Sequence, residues 1–135
     1  MMGHQLPIYR SLRLIYFIPG FIWWGFSFWL LTMPGSSIPR FPWLAKIHAD
    51  KIVHIAIFAG WCWLFCFPFR KSTFNSVQRM QWFLLIAVAG LLYGIAIEYL
   101  QLTMNRGRAF EISDVLADAA GCVIGFWAAK KFFGQ

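Results

Sequence analysis

Apolar residues gather into four runs, separated by links in which polar residues, proline and glycine concentrate. The runs are "RLIYFIPGFIWWGFSFWLLTM" over 13–33, "KIVHIAIFAGWCWLFCF" over 51–67, "QWFLLIAVAGLLYGIAIEYLQLTM" over 81–104 and "EISDVLADAAGCVIGFWAAKKFF" over 111–133. At 1.5 Å per residue, about 20 helical residues cross the hydrocarbon of a bilayer. The second run reaches that length when Ala49 and Asp50 join its helix, which sets the expected spans at about 13–33, 49–67, 81–104 and 112–131. The pattern predicts an all-α fold, an integral membrane four-helix bundle forming one domain over residues 1–135. The fourth run is the most polar, and it crosses only with its aspartates turned toward protein.

The links explain where the helices stop. "PGSSIPRFP", 34–42, is too rich in proline to continue a helix. "FPFRKSTFNSVQR", 67–79, is polar and basic, and "NRGRAFE", 105–111, is short. Pro19–Gly20 falls inside the first run and predicts a kink there, which membrane helices tolerate. That run is longer than the apolar core of a signal peptide and lacks a small-x-small site before "PGSS", so it is expected to remain as a span.

Composition sharpens this picture. Hydrophobic residues make up 60% and charged residues 13%, against about 25% charged in soluble domains. The net charge of +7 is carried by short clusters between apolar runs, as in helices flanked by anionic headgroups. There is no basic stripe with interleaved polar surface, so the expected partner is a lipid bilayer and no nucleic acid. Cys62, Cys66 and Cys122 lie inside apolar runs and read as small core residues. The eight tryptophans fit interfacial belts and lipid-facing packing. With four spans, Arg10, Arg13, Arg70, Lys71, Arg79, Lys130 and Lys131 share one side, whereas Arg40, Lys46, Lys51, Arg106 and Arg108 share the other. The bias places both termini in the cytoplasm.

The carboxylates carry the functional signal. Asp50, Glu98, Glu111, Asp114 and Asp118 are all the acidic residues of the chain, and the four-span topology puts every one at the outer end. Asp50, His54 and Phe58 recur at i, i+4, i+8 and share a helix face. Gly94, Glu98 and Gln101 share another, as do Asp114, Asp118, Gly121 and Gly125. Gly121 and Gly125 form a small-xxx-small pair that admits a neighbouring helix, so the aspartates on that face turn inward with Lys51, His54, Arg106 and Arg108 as available partners. A structural reading competes. Ion pairs can lock a bundle, and acids near helix N-termini are favoured by the dipole, with Ser113 as a candidate N-cap. Glu98 and Asp118 fit that reading least, one at a helix C-terminus and the other beyond the first turn.

Three functions are compatible with these residues. In the first, Lys51, Arg106 and Arg108 engage an anionic lipid or envelope-precursor headgroup, with Gln101, Asp114 and Asp118 lining the site. Arginine suits bidentate phosphate or carboxylate contacts. In the second, a membrane enzyme uses Asp50, His54 and Glu98 as acid/base groups or metal ligands on a lipid-linked substrate. Such a set suits a hard or borderline divalent metal, although no cofactor is required. In the third, the protein is a structural or assembly partner. No H-x-x-x-H, Walker loop or nucleophile elbow names a reaction.

At these residues the sequence resembles the VanZ-like family of bacterial membrane proteins. "DKIVHIAIF" resembles its D-K-x-x-H-x-x-x-F, "YGIAIEYLQ" its Y-G-x-x-x-E-x-x-Q, and "NRGRAFEISDVLADAAGCVIG" its R-x-x-x-x-x-D-x-x-x-N-x-x-G. Asp118 stands where the family usually has Asn. The resemblance implies a multi-pass protein of the bacterial inner (plasma) membrane and a link to resistance against glycopeptides of the teicoplanin type. It supplies no reaction.

Overall fold

The computed structural model describes residues 12–34, 37, 39–104 and 109–135. A 3-10 turn, Leu14–Phe17, leads into α1 (Ile18–Thr32). A short α2 (Pro42–Lys46) precedes α3 (Ala49–Cys66), which runs on into a second 3-10 segment, Phe67–Lys71. Then come α4 (Ser76–Thr103) and α5 (Ile112–Phe133). Among the described residues, four helical segments are long and apolar enough to cross a membrane: Leu14–Thr32, Ala49–Lys71, Ser76–Thr103 and Ile112–Phe133. The protein is an all-α, multi-pass membrane protein.

Two starts differ from the sequence expectation. Pro19 does not kink the first helix from within. It occupies the first turn of α1, where a missing N–H costs nothing. The third span starts at Ser76 rather than near 81, because Asn75 and Gln78 form a reciprocal capping box that nucleates the helix in a polar stretch. At 28 residues α4 is about 42 Å long, more than the ~30 Å hydrocarbon core. Its two ends therefore reach the headgroup regions.

The bundle is organised around α3. Gly121 and Gly125 of α5 face it so closely that an added Cβ would lie 2.5 Å from the Ile55 carbonyl oxygen and 2.6 Å from Cys62 Cβ, respectively. The two helices run parallel, and α1 and α4 run against them. Indole N–H groups tie the other helices to α3. Trp23 donates to the Ile57 carbonyl at 2.9 Å, across Gly60, and Trp61 donates to the Ile86 carbonyl at 3.0 Å, beside Gly90. In both cases a glycine clears the indole's path to a helical carbonyl. Phe58, Cys62, Ile97 and Cys122 fill the middle of the core, and Cys66, Phe69, Phe83, Ala129 and Phe133 fill one end. The three cysteines are buried and free.

That end is basic. Arg79 donates to the carbonyls of Phe133 and Gln135, tying the start of α4 to the end of α5. Phe17 packs edge-on to Phe69, with centroids 6.0 Å apart. Arg13, Arg70, Lys71, Arg79, Lys130 and Lys131 thus share one membrane face, and all the side-chain carboxylates belong to the other.

Gly125→Val should lower stability by about 1–3 kcal/mol through overpacking. Gly25→Ala, where an added Cβ meets nothing within 4 Å, should leave it unchanged or slightly raised. Thermal unfolding in detergent checks both.

Candidate functional site

The acidic face is assembled by three helix ends: the starts of α3 and α5 and the end of α4. Its centre is Lys51. The Lys51 ammonium contacts Asp50 at 2.9 Å, Glu111 at 2.7 Å and Asp114 more closely still. A cation at a helix N-terminus opposes the dipole, and the three carboxylates offset that repulsion while linking α3 to α5. Lys51 was expected both to engage an anionic ligand and to partner the inward aspartates; its ammonium is engaged by the protein's own anions.

One turn deeper lies a second group. His54 Nδ1 is 2.7 Å from Asp118 Oδ1, and His54 Nε2 is 3.8 Å from Asp114 Oδ2. In the neutral ring whose Nδ1–H donates to Asp118, Nε2 is the acceptor nitrogen, and it faces Asp114. Asp118 and Glu98 are fully buried, His54 and Asp114 nearly so. Gly94 makes room for Asp118, since a Cβ there would collide with its carboxylate. Glu98 Oε2 accepts from the Glu111 backbone N–H at 3.2 Å. This explains an anion at the end of α4: it faces the positive N-terminus of α5. Among the described residues, Glu98 Oε1 and Asp118 Oδ2 are buried side-chain oxygens with no hydrogen-bond partner.

The sequence-derived candidates thus separate. Asp50, Lys51 and Asp114 share one ionic network, and His54, Glu98, Asp114 and Asp118 form the buried group below it. Gln101 is buried but serves α1: its Nε2 donates to the Leu31 carbonyl at 2.5 Å, satisfying one of the last-turn carbonyls. Arg106 and Arg108 lie outside the described residues. Ser113 is not the N-cap of α5; Glu111 holds that position, and the Ser113 hydroxyl lies 3.4 Å from the Glu111 carboxylate. Neither of two surface grooves includes a residue of the cluster. One, of about 450 Å³, lies at the basic face beside Ser76, Lys130 and Lys131; the other, of about 200 Å³, is an apolar furrow between α4 and α5.

The VanZ/LLP1 family profile matches residues 5–133, nearly the whole chain. The chain belongs to the VanZ/LLP1 family. No curated protein and no solved structure matches it. In this family member the "DKIVH" block supplies the start of α3, "YGIAIEYLQ" the end of α4, and "SDVLAD" the start of α5, so the three sequence blocks meet in space. Sequence reasoning underrated Glu111. Both its backbone and its side chain hold the cluster, and its membership of the five outer carboxylates was the signal for that.

Chemically, the arrangement offers an imidazole and buried carboxylates below an ammonium already paired with carboxylates. Lys51→Met should lower stability by about 2 kcal/mol, between the values for exposed and buried ion pairs, because it strands Asp114 beside Glu111. Asp50→Asn, at a carboxylate 59% exposed, should cost less than about 1 kcal/mol. Thermal unfolding of the two variants should reproduce that order.

Proposed function

We propose that this protein binds an anionic lipid or envelope-precursor headgroup at the acidic face, in the inner membrane of a bacterium, and that the site contributes to glycopeptide tolerance. The observation that carries this reading is the gradient of exposure across the carboxylates. Asp50 and Glu111 side chains are 59% and 52% exposed at the rim, Asp114 is 13% exposed, and Glu98 and Asp118 are fully buried. A helix lock has no need of a polar path from the surface inward. Buried carboxylates in a membrane domain are expensive and mark function by default. Because Lys51 is already paired, direct anion contact falls to Arg106 and Arg108, the sequence's remaining cations of the α4–α5 link. The rim carboxylates accept hydrogen bonds from hydroxyl or amide groups of a headgroup.

Helix locking is the second reading, and the Lys51 bridge between α3 and α5 favours it. The two make different predictions. Under headgroup binding, Arg108→Ala and Glu98→Gln abolish the glycopeptide phenotype while the melting temperature in detergent stays unchanged. Loss of stability in step with loss of phenotype would instead support the lock.

The basic bias of the opposite face supports an outward-facing site. Ser37→Cys should therefore react with a membrane-impermeant maleimide in intact cells, against little background from the buried native cysteines. Reaction only after the cells are opened would reverse the orientation.

A further inference from the structure

We propose that His54, Glu98 and Asp114 hold a divalent cation of the Zn²⁺ or Mn²⁺ type, and that this cation takes the phosphate of the headgroup. The second half rests on the headgroup reading above; the first stands alone.

One ligand atom from each of these three residues lies within 4.8 Å of the others. A second acidic group, Asp50, Glu111 and Asp114, also converges, but the Lys51 ammonium already sits at its focus. No cationic side chain among the described residues pairs with Glu98. Glu98 is fully buried, belongs to the three-residue group and has one oxygen without a partner. His54 presents the matching nitrogen: Asp118 holds Nδ1 at 2.7 Å, which orients Nε2 toward Asp114. A carboxylate behind the other ring nitrogen is the usual support of a metal-binding histidine. The 3.8 Å between Nε2 and Asp114 Oδ2 is too long for a hydrogen bond. It is less than the ~4.2 Å limit for two ligands of one ion at bonds of about 2.1 Å. One imidazole with two carboxylates suits a borderline cation better than a purely oxygen-seeking one. With Asp114 also held by Lys51, the ligands come from three different helices, so the ion closes the acidic face. Three protein ligands leave an open coordination position on such an ion, and a phosphate oxygen can fill it, which is how a face rich in carboxylates receives an anion.

The test uses full-length protein in detergent, stripped with a chelator and titrated calorimetrically with ZnCl₂, MnCl₂ and MgCl₂. The proposal expects one equivalent of Zn²⁺ or Mn²⁺ bound at least tenfold more tightly than Mg²⁺. His54→Gln and Glu98→Gln should abolish binding, and Asp118→Asn should weaken it 10–100-fold. Should those variants fail to fold, the Mn²⁺-loaded natural protein should still give spin-echo modulation from a histidine nitrogen. Absence of binding, absence of that modulation, or equal binding by folded variants would overturn the metal site. Short-chain phosphatidic acid and inorganic phosphate are then added to stripped and loaded protein. Tighter binding of the lipid than of phosphate, only when loaded, supports the second half and identifies a lipid headgroup; equal metal-dependent binding of both identifies phosphate alone as the recognised group. Lipid binding that ignores the metal overturns the second half but leaves the headgroup reading standing. Metal binding without lipid binding overturns the headgroup reading and leaves the metal site standing.

Discussion

Gly121 and Gly125 bring the backbones of α3 and α5 into contact, and the placement of the polar residues follows from it. A side chain at either glycine would collide with the α3 backbone or with Cys62. In lipid, helices associate through such packing rather than through hydrophobic burial, because the surroundings are as apolar as the helices. Once α5 lies parallel to α3 in this register, their N-termini coincide. Lys51 then meets Glu111 and Asp114, and His54 meets Asp118 one turn deeper. The third helix joins by the same logic: Gly94 leaves space for Asp118, and Glu98 reaches the backbone at the head of α5.

This contact also makes the buried groups costly. Carboxylates removed from water in a membrane domain lose solvation that hydrogen bonds only partly restore. In the surface layer one ammonium is shared by three carboxylates. In the layer beneath, His54 is the lone basic side chain among the described residues, and Glu98 and Asp118 each keep an oxygen without a partner. A bundle selected only for strength would fill such positions with apolar side chains, since buried ion pairs contribute little net stability against a well-packed hydrophobic alternative. Their presence is what the proposed ligand site accounts for.

The membrane bundle was legible in the sequence because run length and the absence of charge are strong signals in a bilayer. The convergence of acids was legible because five carboxylates at one end of four spans is itself a pattern. Details set by local hydrogen bonds were not. The capping box at Asn75 extended α4 into a stretch that looked like a link, and Pro19 opened a helix it was expected to bend. Pairing was harder still. Lys51, read both as a ligand contact and as a partner of the inward aspartates, pairs with Asp114 and also with Glu111, which carried no helical-face signal because it precedes its helix. Gln101, on the same face as Glu98, turned to the end of α1, which no spacing within α4 could reveal.

If the proposed ligand site is right, the deep polar layer is kept for a ligand at the expense of stability. The most direct test replaces that layer as a unit, with His54→Leu, Glu98→Met and Asp118→Leu in one protein, followed by thermal unfolding in detergent. The triple variant should be as stable as the natural protein or more stable by about 1–4 kcal/mol, with the capacity to bind Zn²⁺ or Mn²⁺ lost. A loss of about 3 kcal/mol or more would contradict the ligand-site reading and identify the layer as part of the scaffold.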